Sequence, residues 1–160
     1  MNAAVLKSMF VSLFIALSFA TTSAAATDSI EWSYEPNLAS VKMGSSVAVC
    51  DVNGDGYEDL FVAAANFTNG QNSEGKIFGF YGSASGLPSS PSWSFEANVG
   101  EAMIGDLACG GLVDDDNYED LIVSGPFFDD GTDAGKVWLF FGSAAGLSGI
   151  AWTYDIGSTS

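Results

Sequence analysis

Three blocks of this chain return in one order, and that recurrence limits the possible fold more than any other feature. Trp32-Ser-Tyr34-Glu comes back as Trp93-Ser-Phe95-Glu and again as Trp152-Thr-Tyr154-Asp, a period near 60 residues. Tyr57-Glu58-Asp59-Leu60 returns as Tyr118-Glu119-Asp120-Leu121, and GKIFGFYGSASGL from Gly75 returns as GKVWLFFGSAAGL from Gly135. Within each repeat the apolar runs are short, rich in Val, Ile, Phe, Trp and Tyr, and divided by Gly, Asn, Asp and Ser, which is the pattern of strands and tight turns. Four strands fit the first repeat, near 46–50, 60–65, 76–81 and 92–96, and four fit the second, near 107–111, 121–124, 136–141 and 151–155. An opening strand near 31–35 matches the fourth strand of a repeat. Four antiparallel strands recurring at this period describe a blade of a β-propeller, so the expected fold class is all-β.

The stretch Asp51 to Asp59, DVNGDGYED, is the richest in chemistry. Side-chain oxygens recur at Asp51, Asn53, Asp55 and Asp59, while Gly54 and Gly56 can take the positive φ that curls the backbone until those oxygens converge. With the Tyr57 carbonyl and a water, this set approaches the roughly six to eight oxygens that Ca2+ prefers; Mg2+, which keeps its waters and demands an octahedron, fits less well. A cluster of Asp, Asn and Gly between apolar runs is more commonly a solvated turn, and the repetition is what favours the cation reading. An EF-hand is excluded, because the twelfth position is Val62 rather than Glu and the flanking segments read as strands. Aligned on the second repeat, Asp114, Asp116, the Tyr118 carbonyl and Asp120 match, but Leu112 stands in place of Asp51 and Asn117 in place of Gly56. Asn tolerates a left-handed conformation. The second loop is expected to be a weaker cation site or none.

At the N-terminus, Lys7, the apolar stretch from Met9 to Ala20 and the Ala24-Ala25-Ala26 cleavage signal read as a secretory signal peptide over 1–26. The apolar core is about a dozen residues, short of the roughly 20 of a spanning helix, and no second candidate follows, so no membrane span is expected in the mature chain. All 20 acidic residues lie after it, opposed by Lys42, Lys76 and Lys136 alone. Such a surface repels nucleic acid, because phosphate binding needs Lys and Arg, and attracts divalent cations. The chain has no His, and no Arg. This excludes Ser-His-Asp and Cys-His catalysis, histidine-bound zinc and arginine clamping of phosphoryl groups.

The residues resemble the FG-GAP repeats of the integrin α-chain propeller and its bacterial relatives, over essentially all of the mature chain. The resemblance is carried by the DxNxDGxxDL loop at Asp51 to Leu60, by Ser124-Gly125-Pro126, and by FYGSASGL and FFGSAAGL after each third strand. Ala63-Ala64-Ala65 in the first repeat departs mildly from the family's Gly-Ala-Pro. The resemblance implies that the calcium loop joins the first and second strands of a blade. It divides the chain into the signal peptide, a leading fourth strand of an incomplete blade (27–43), one repeat over 44–104 and a second over 105–160 that ends at the start of a third. Two blades cannot close a ring, so further blades in cis or self-association is expected.

Cys50 and Cys109 are the only cysteines. They fall on the first strands of neighbouring blades, and a 61-residue offset puts them on the same face, two positions apart; a disulfide and two buried thiols both remain open. Glu58-Asp59 and Glu119-Asp120 are poor candidates for a glycosidase pair, since strand neighbours point to opposite faces. Trp32, Trp93, Phe95, Trp138 and Trp152 could stack on sugars, but their equivalent placement favours packing between blades. Asn66-Phe67-Thr68 satisfies the N-glycosylation pattern. Two functions are carried forward. The first is a secreted or cell-surface, non-catalytic, calcium-stabilised module for adhesion or recognition of a protein or carbohydrate. The second is the N-terminal part of a larger exported enzyme acting on polysaccharide or phospholipid.

Overall fold

The structure, a computed structural model, describes residues 32–129, 131 and 135–155. The expected signal peptide and the last five residues lie outside the described residues. Eight strands form: β1 (Met43–Cys50), β2 (Asp59–Ala64), β3 (Lys76–Phe80), β4 (Trp93–Glu96), β5 (Asp106–Gly111), β6 (Asp120–Gly125), β7 (Lys136–Phe140) and β8 (Ile150–Asp155). They make two four-stranded antiparallel sheets in sequence order, β1-β2-β3-β4 and β5-β6-β7-β8. These are the two propeller blades that the repeat requires, at the expected places to within a few residues, with β1 opening earlier because Met43 reaches Ala64 around an irregularity in the ladder.

The same turns close both blades. Ser83 accepts N–H from Ser85 at its hydroxyl and donates to the Gly86 carbonyl at 2.9 Å; Ser143 repeats this with Ala145 and, at 2.6 Å, with Gly146. Gly86 and Gly146 sit at φ +87° and +90°, a conformation that L side chains rarely adopt, which explains the glycine in both GSAxGL turns. The mild departure at Ala63-Ala64-Ala65 changes little. Phe67 N–H donates to the Ala64 carbonyl at 3.0 Å, as Phe128 N–H does to Gly125 at 3.1 Å.

Alternation along the strands gives each blade two apolar faces. One face of the first blade, with Cys50, Phe61, Ala63 and Ile77 all at 0 % exposure, packs on Leu121, Val123, Trp138 and Phe140 of the second to make the main core. The outer strands interlock through aromatic edges: Trp93 meets Phe140 at 5.2 Å, and Phe95 meets Trp138 at 5.5 Å and Phe140 at 5.0 Å. The opposite face of the first blade carries Val62, Ala64, Phe78 and Phe80 and forms a second cluster with Trp32 and Tyr34.

The opening strand expected at 31–35 is not formed over residues 32–35, which join no ladder. A fourth strand needs a third strand beside it for its backbone bonds, and the described sheets offer none. Its side chains nevertheless take the expected packing role. Trp32 lies 5.0 Å from Phe80, Tyr34 lies 4.9 Å from Phe80 and 5.8 Å from Phe78, and the Trp32 indole N–H donates to the Pro88 carbonyl.

Candidate metal centre

The acidic loop joins β1 to β2, so its two ends are pinned by one ladder, Cys50 facing Asp59. Inside it each side-chain oxygen first serves the loop's own backbone. Asp51 accepts N–H from Asp55 at 3.2 Å and from Gly56 at 2.9 Å; Asn53 accepts from Asp55 at 3.0 Å; Asp55 accepts from Tyr57 at 2.9 Å. Gly54 and Gly56, at φ +69° and +84°, permit the curl. Asp51, Asp55, Glu58 and Asp59 thus put four carboxylates, with the Asn53 amide oxygen, into nine residues, and the ion pairs among the described residues, Lys76–Glu96 and Lys136–Asp155, lie elsewhere. A hard dication fits this donor chemistry. The carboxylates are not drawn tightly together, however. The one group among the described residues whose Cys or carboxylate ligand atoms all lie within 4.8 Å is Cys50, Cys109 and Glu119.

Asp59 differs from the other three. Fully buried, it accepts N–H from Val52 at 3.1 Å on one oxygen and from Gly82 at 2.8 Å on the other, tying the start of the loop and the turn after β3 to β2. Burial pushes its carboxyl up to about 6; the Gly82 and Val52 N–H groups pull the other way, and the charges of Asp55 and Asp51 add to the rise. Asp120 occupies the same place in the second blade, accepting from Val113 at 2.6 Å and from Gly142 at 3.0 Å. Both aspartates therefore brace their blades whatever else they ligate.

The second loop is the poorer copy. Asp116 N–H donates to Asp114 at 3.4 Å and Tyr118 N–H to Asp116 at 2.7 Å, repeating half of the first loop's pattern. Leu112 is 53 % exposed where Asp51 holds two N–H groups. Asn117 does not adopt the left-handed conformation expected of it; Asp115 does, at φ +64°. Of the first loop's two left-handed positions, the second loop keeps the one at Gly54, now Asp115, and loses the one at Gly56.

Sequence reasoning missed how far the first loop depends on the neighbouring blade. Glu119 accepts the Asp51 N–H on its carboxylate at 2.9 Å and donates its own N–H to the Asp51 carbonyl at 3.2 Å, while Ser143 N–H donates to Val52. Tyr118 lies over Gly54, leaving no room there for a side chain. The Glu58-Asp59 repeat motif held the signal: its equivalent Glu119 faces away from Asp120, hence toward the other blade.

Cys50 and Cys109 are joined as a disulfide across the blade interface, with Cα atoms 5.7 Å apart. They do not share a face, as the 61-residue offset had suggested. A bulge between Cys109 and Gly111 shortens the offset, so Cys109 pairs with Leu121 as Val49 pairs with Leu60. Cys50 thus looks out of one blade and Cys109 back out of the next, which is why they meet. The bond leaves no thiolate there for a metal.

Comparison with known proteins agrees with this architecture. The FG-GAP repeat family model matches residues 43–80, which span β1, the acidic loop, β2 and β3. Rat phosphatidylinositol-glycan-specific phospholipase D is 35 % identical over 88 residues, covering 54 % of this chain and 10 % of that protein. Integrin alpha-3 of Cricetulus griseus is 30 % identical over 106 residues, 65 % of this chain and 10 % of its own length. Human integrin alpha-7 is 33 % identical over 113 residues, 65 % of this chain and 9 % of its own. The chain spans about a tenth of the length of these relatives. An FG-GAP repeat is thus matched in sequence over residues 43–80 and formed in space as part of a four-stranded blade, and the chain as a whole is similar to integrin α-chains.

Proposed function

We propose that the chain is an exported, calcium-stabilised propeller module that serves adhesion or the recognition of a protein or carbohydrate, with calcium in a structural role. The observation that carries this reading is the loop between β1 and β2, where Asp51, Asp55, Asp59 and Asn53 lie within nine residues, curled on the loop's own N–H groups, with no cationic side chain paired to them among the described residues. Asp51, Asn53, Asp55 and the Tyr57 carbonyl would hold the ion, with Asp59 from behind; the ion would supply charge neutralisation and a fixed path between two strands. A ligand that binds only the folded chain raises stability by mass action. Thermal melts with calcium and with a chelator test the reading: the melting temperature is expected to fall on chelation, and Asp55→Ala is expected to reproduce that fall and abolish the calcium response. An identical melt in all three conditions overturns it. The second loop, lacking the first ligand, is expected to contribute little. The integrin α-chains among the relatives favour adhesion, and the leader-like N-terminus favours a secreted or cell-surface location.

A second reading has a specific support, the likeness to a phospholipase D. In it the blades are the non-catalytic part of a larger exported enzyme. The sequence of the gene beyond residue 160 discriminates: further repeats favour the binding module, and a domain rich in His and Arg favours the enzyme.

A further inference from the structure

The loop that joins β2 to β3 holds a carboxylate and two amides with acceptors to spare. Glu74 is at 0 % exposure; its Oε1 accepts the Asn69 N–H at 2.7 Å, while its Oε2 is buried with no hydrogen-bond partner among the described residues. The same holds for Asn66 Oδ1 and Gln71 Oε1. These are the orphaned buried side-chain atoms among the described residues; all three are oxygens, and all belong to this one loop. Lys76, the basic side chain next along the chain, is drawn to Glu96 at 2.6 Å. Each oxygen is already shut off from solvent, so its lack of a partner does not turn on any chain before or after the described residues.

Short-range bonds fold this loop in on itself. Gly75 N–H donates to the Phe67 carbonyl at 3.1 Å, which sets Asn66 and Glu74 next to one closure, and Ser73 N–H donates to the Thr68 hydroxyl at 3.0 Å. The Asn69 bond keeps the Glu74 carboxylate turned into the loop. A buried acceptor without a donor costs free energy, most of all on a carboxylate. One water brings two hydrogens to three acceptors, and a proton on Glu74 would serve a single amide oxygen. A hard cation serves all three at once. Asn66, Thr68, Asn72 and Ser73 also line a cavity of about 320 Å3 beside Val41, which gives an ion its way in.

We propose that Glu74, Gln71 and Asn66 form a second calcium site, separate from the acidic loop. The two stand at opposite ends of β2, the acidic loop entering at Asp59 and this one leaving at Ala64. Donors that are all oxygen, one of them charged, suit Ca2+, which takes amide carbonyls readily and fills the rest of its shell with backbone oxygens and water. The effect of this ion falls between blades. The Asn72, Ser73 and Glu74 carbonyls accept N–H from Glu101 at 2.7 Å, Met103 at 3.0 Å and Ile104 at 3.3 Å, in the segment that leads into β5, so fixing this loop fixes that seam. The second blade does not repeat the site in sequence: aligned on Gly75-Lys76 and Gly135-Lys136, Ala134 stands where Glu74 does.

Equilibrium dialysis of the purified protein against Ca2+, at physiological salt so that loosely held counter-ions are screened, tests the proposal by the number of ions bound. Glu74→Gln keeps the shape and an oxygen for the Asn69 N–H, and is expected to lower the count by one ion while the circular dichroism stays unchanged. Asp55→Ala is expected to leave that ion in place. Glu35→Gln removes an exposed carboxylate elsewhere and is expected to leave the count alone. Should Glu74→Gln fail to fold, Gln71→Ala in the Asp55→Ala background, where this site alone remains, is expected to weaken calcium binding about tenfold or more. A count that Glu74→Gln leaves unchanged, or that Glu35→Gln lowers equally, overturns the proposal, as does an affinity that Gln71→Ala leaves unchanged. An ion lost with Asp55→Ala reports on the acidic loop alone, so the two calcium readings fail separately.

Discussion

Asp59 and Asp120 are buried carboxylates that each hold two backbone N–H groups, and each N–H would be orphaned in the core without them. Asn in either place keeps the shape but turns one acceptor into a donor facing an N–H. Asp59→Asn and Asp120→Asn are each expected to lower stability by about 1 to 3 kcal/mol, measured by denaturant unfolding in chelator so that no ion contributes. Glu74, fully buried in the loop between β2 and β3, is a third buried carboxylate but holds one backbone N–H, that of Asn69 at 2.7 Å. The acidic types and the loop spacing of Asp59 were legible in the sequence. Its bracing role was not, because the groups it holds lie 7 and 23 residues away and become neighbours only when the blade forms.

Within each blade the third and fourth strands are fastened by a cross-strand ion pair beside aromatic rings. Lys76 faces Glu96 in the ladder, with Nζ 2.6 Å from the carboxylate and 4.9 Å from the Phe67 ring centre; Lys136 faces Asp155 and lies 4.7 Å from Phe128. Burial pushes the Glu96 carboxyl up, but hydrogen bonds from Lys76 and Asn69 and the Lys76 charge outweigh it, so its pKa falls below the usual glutamate value. The folded state then binds this proton more weakly than the unfolded state. The pair's contribution is complete above the unfolded value near 4.5 and is lost as pH falls through the lower, folded value. Melts from pH 6 down to 3 are expected to show a smaller loss on acidification in Lys76→Met than in the unaltered protein. Equal slopes would sink this assignment. The strands themselves were legible from alternation and turn residues, since both act over a few neighbours. The missing ladder of residues 32–35 was not: their pattern matches a strand, and only the lack of a strand beside them decides against one.

Across the whole molecule one covalent bond and a set of inter-blade contacts join two sheets that share no ladder. The Cys50–Cys109 bond spans 59 residues, and a loop of that size restricts the unfolded chain strongly. Replacing both cysteines by Ala is expected to cost about 2 to 4 kcal/mol, read from the midpoint of denaturant unfolding. Because Cys50 adjoins Asp51, and Glu119 touches both Cys109 and the Asp51 N–H, the same change is expected to weaken the calcium response of the melt. A calcium response that persists at full size would show that the loop is braced by Glu119 and Ser143 alone.

The sequence by itself determined the all-β class, the two repeats, the order of their strands and the place of the acidic loop, because periodicity and turn chemistry are written in near neighbours. It also carried the aromatic triplets that lock blade to blade. Only the tertiary structure decided which faces meet. A single extra residue at the Cys109–Gly111 bulge turns Cys109 toward Cys50, and the stacking of one sheet on the next brings Glu119 to Asp51. Register and stacking depend on many distant contacts at once, and a shift of one residue reverses a side chain's face, so no local pattern could have announced either.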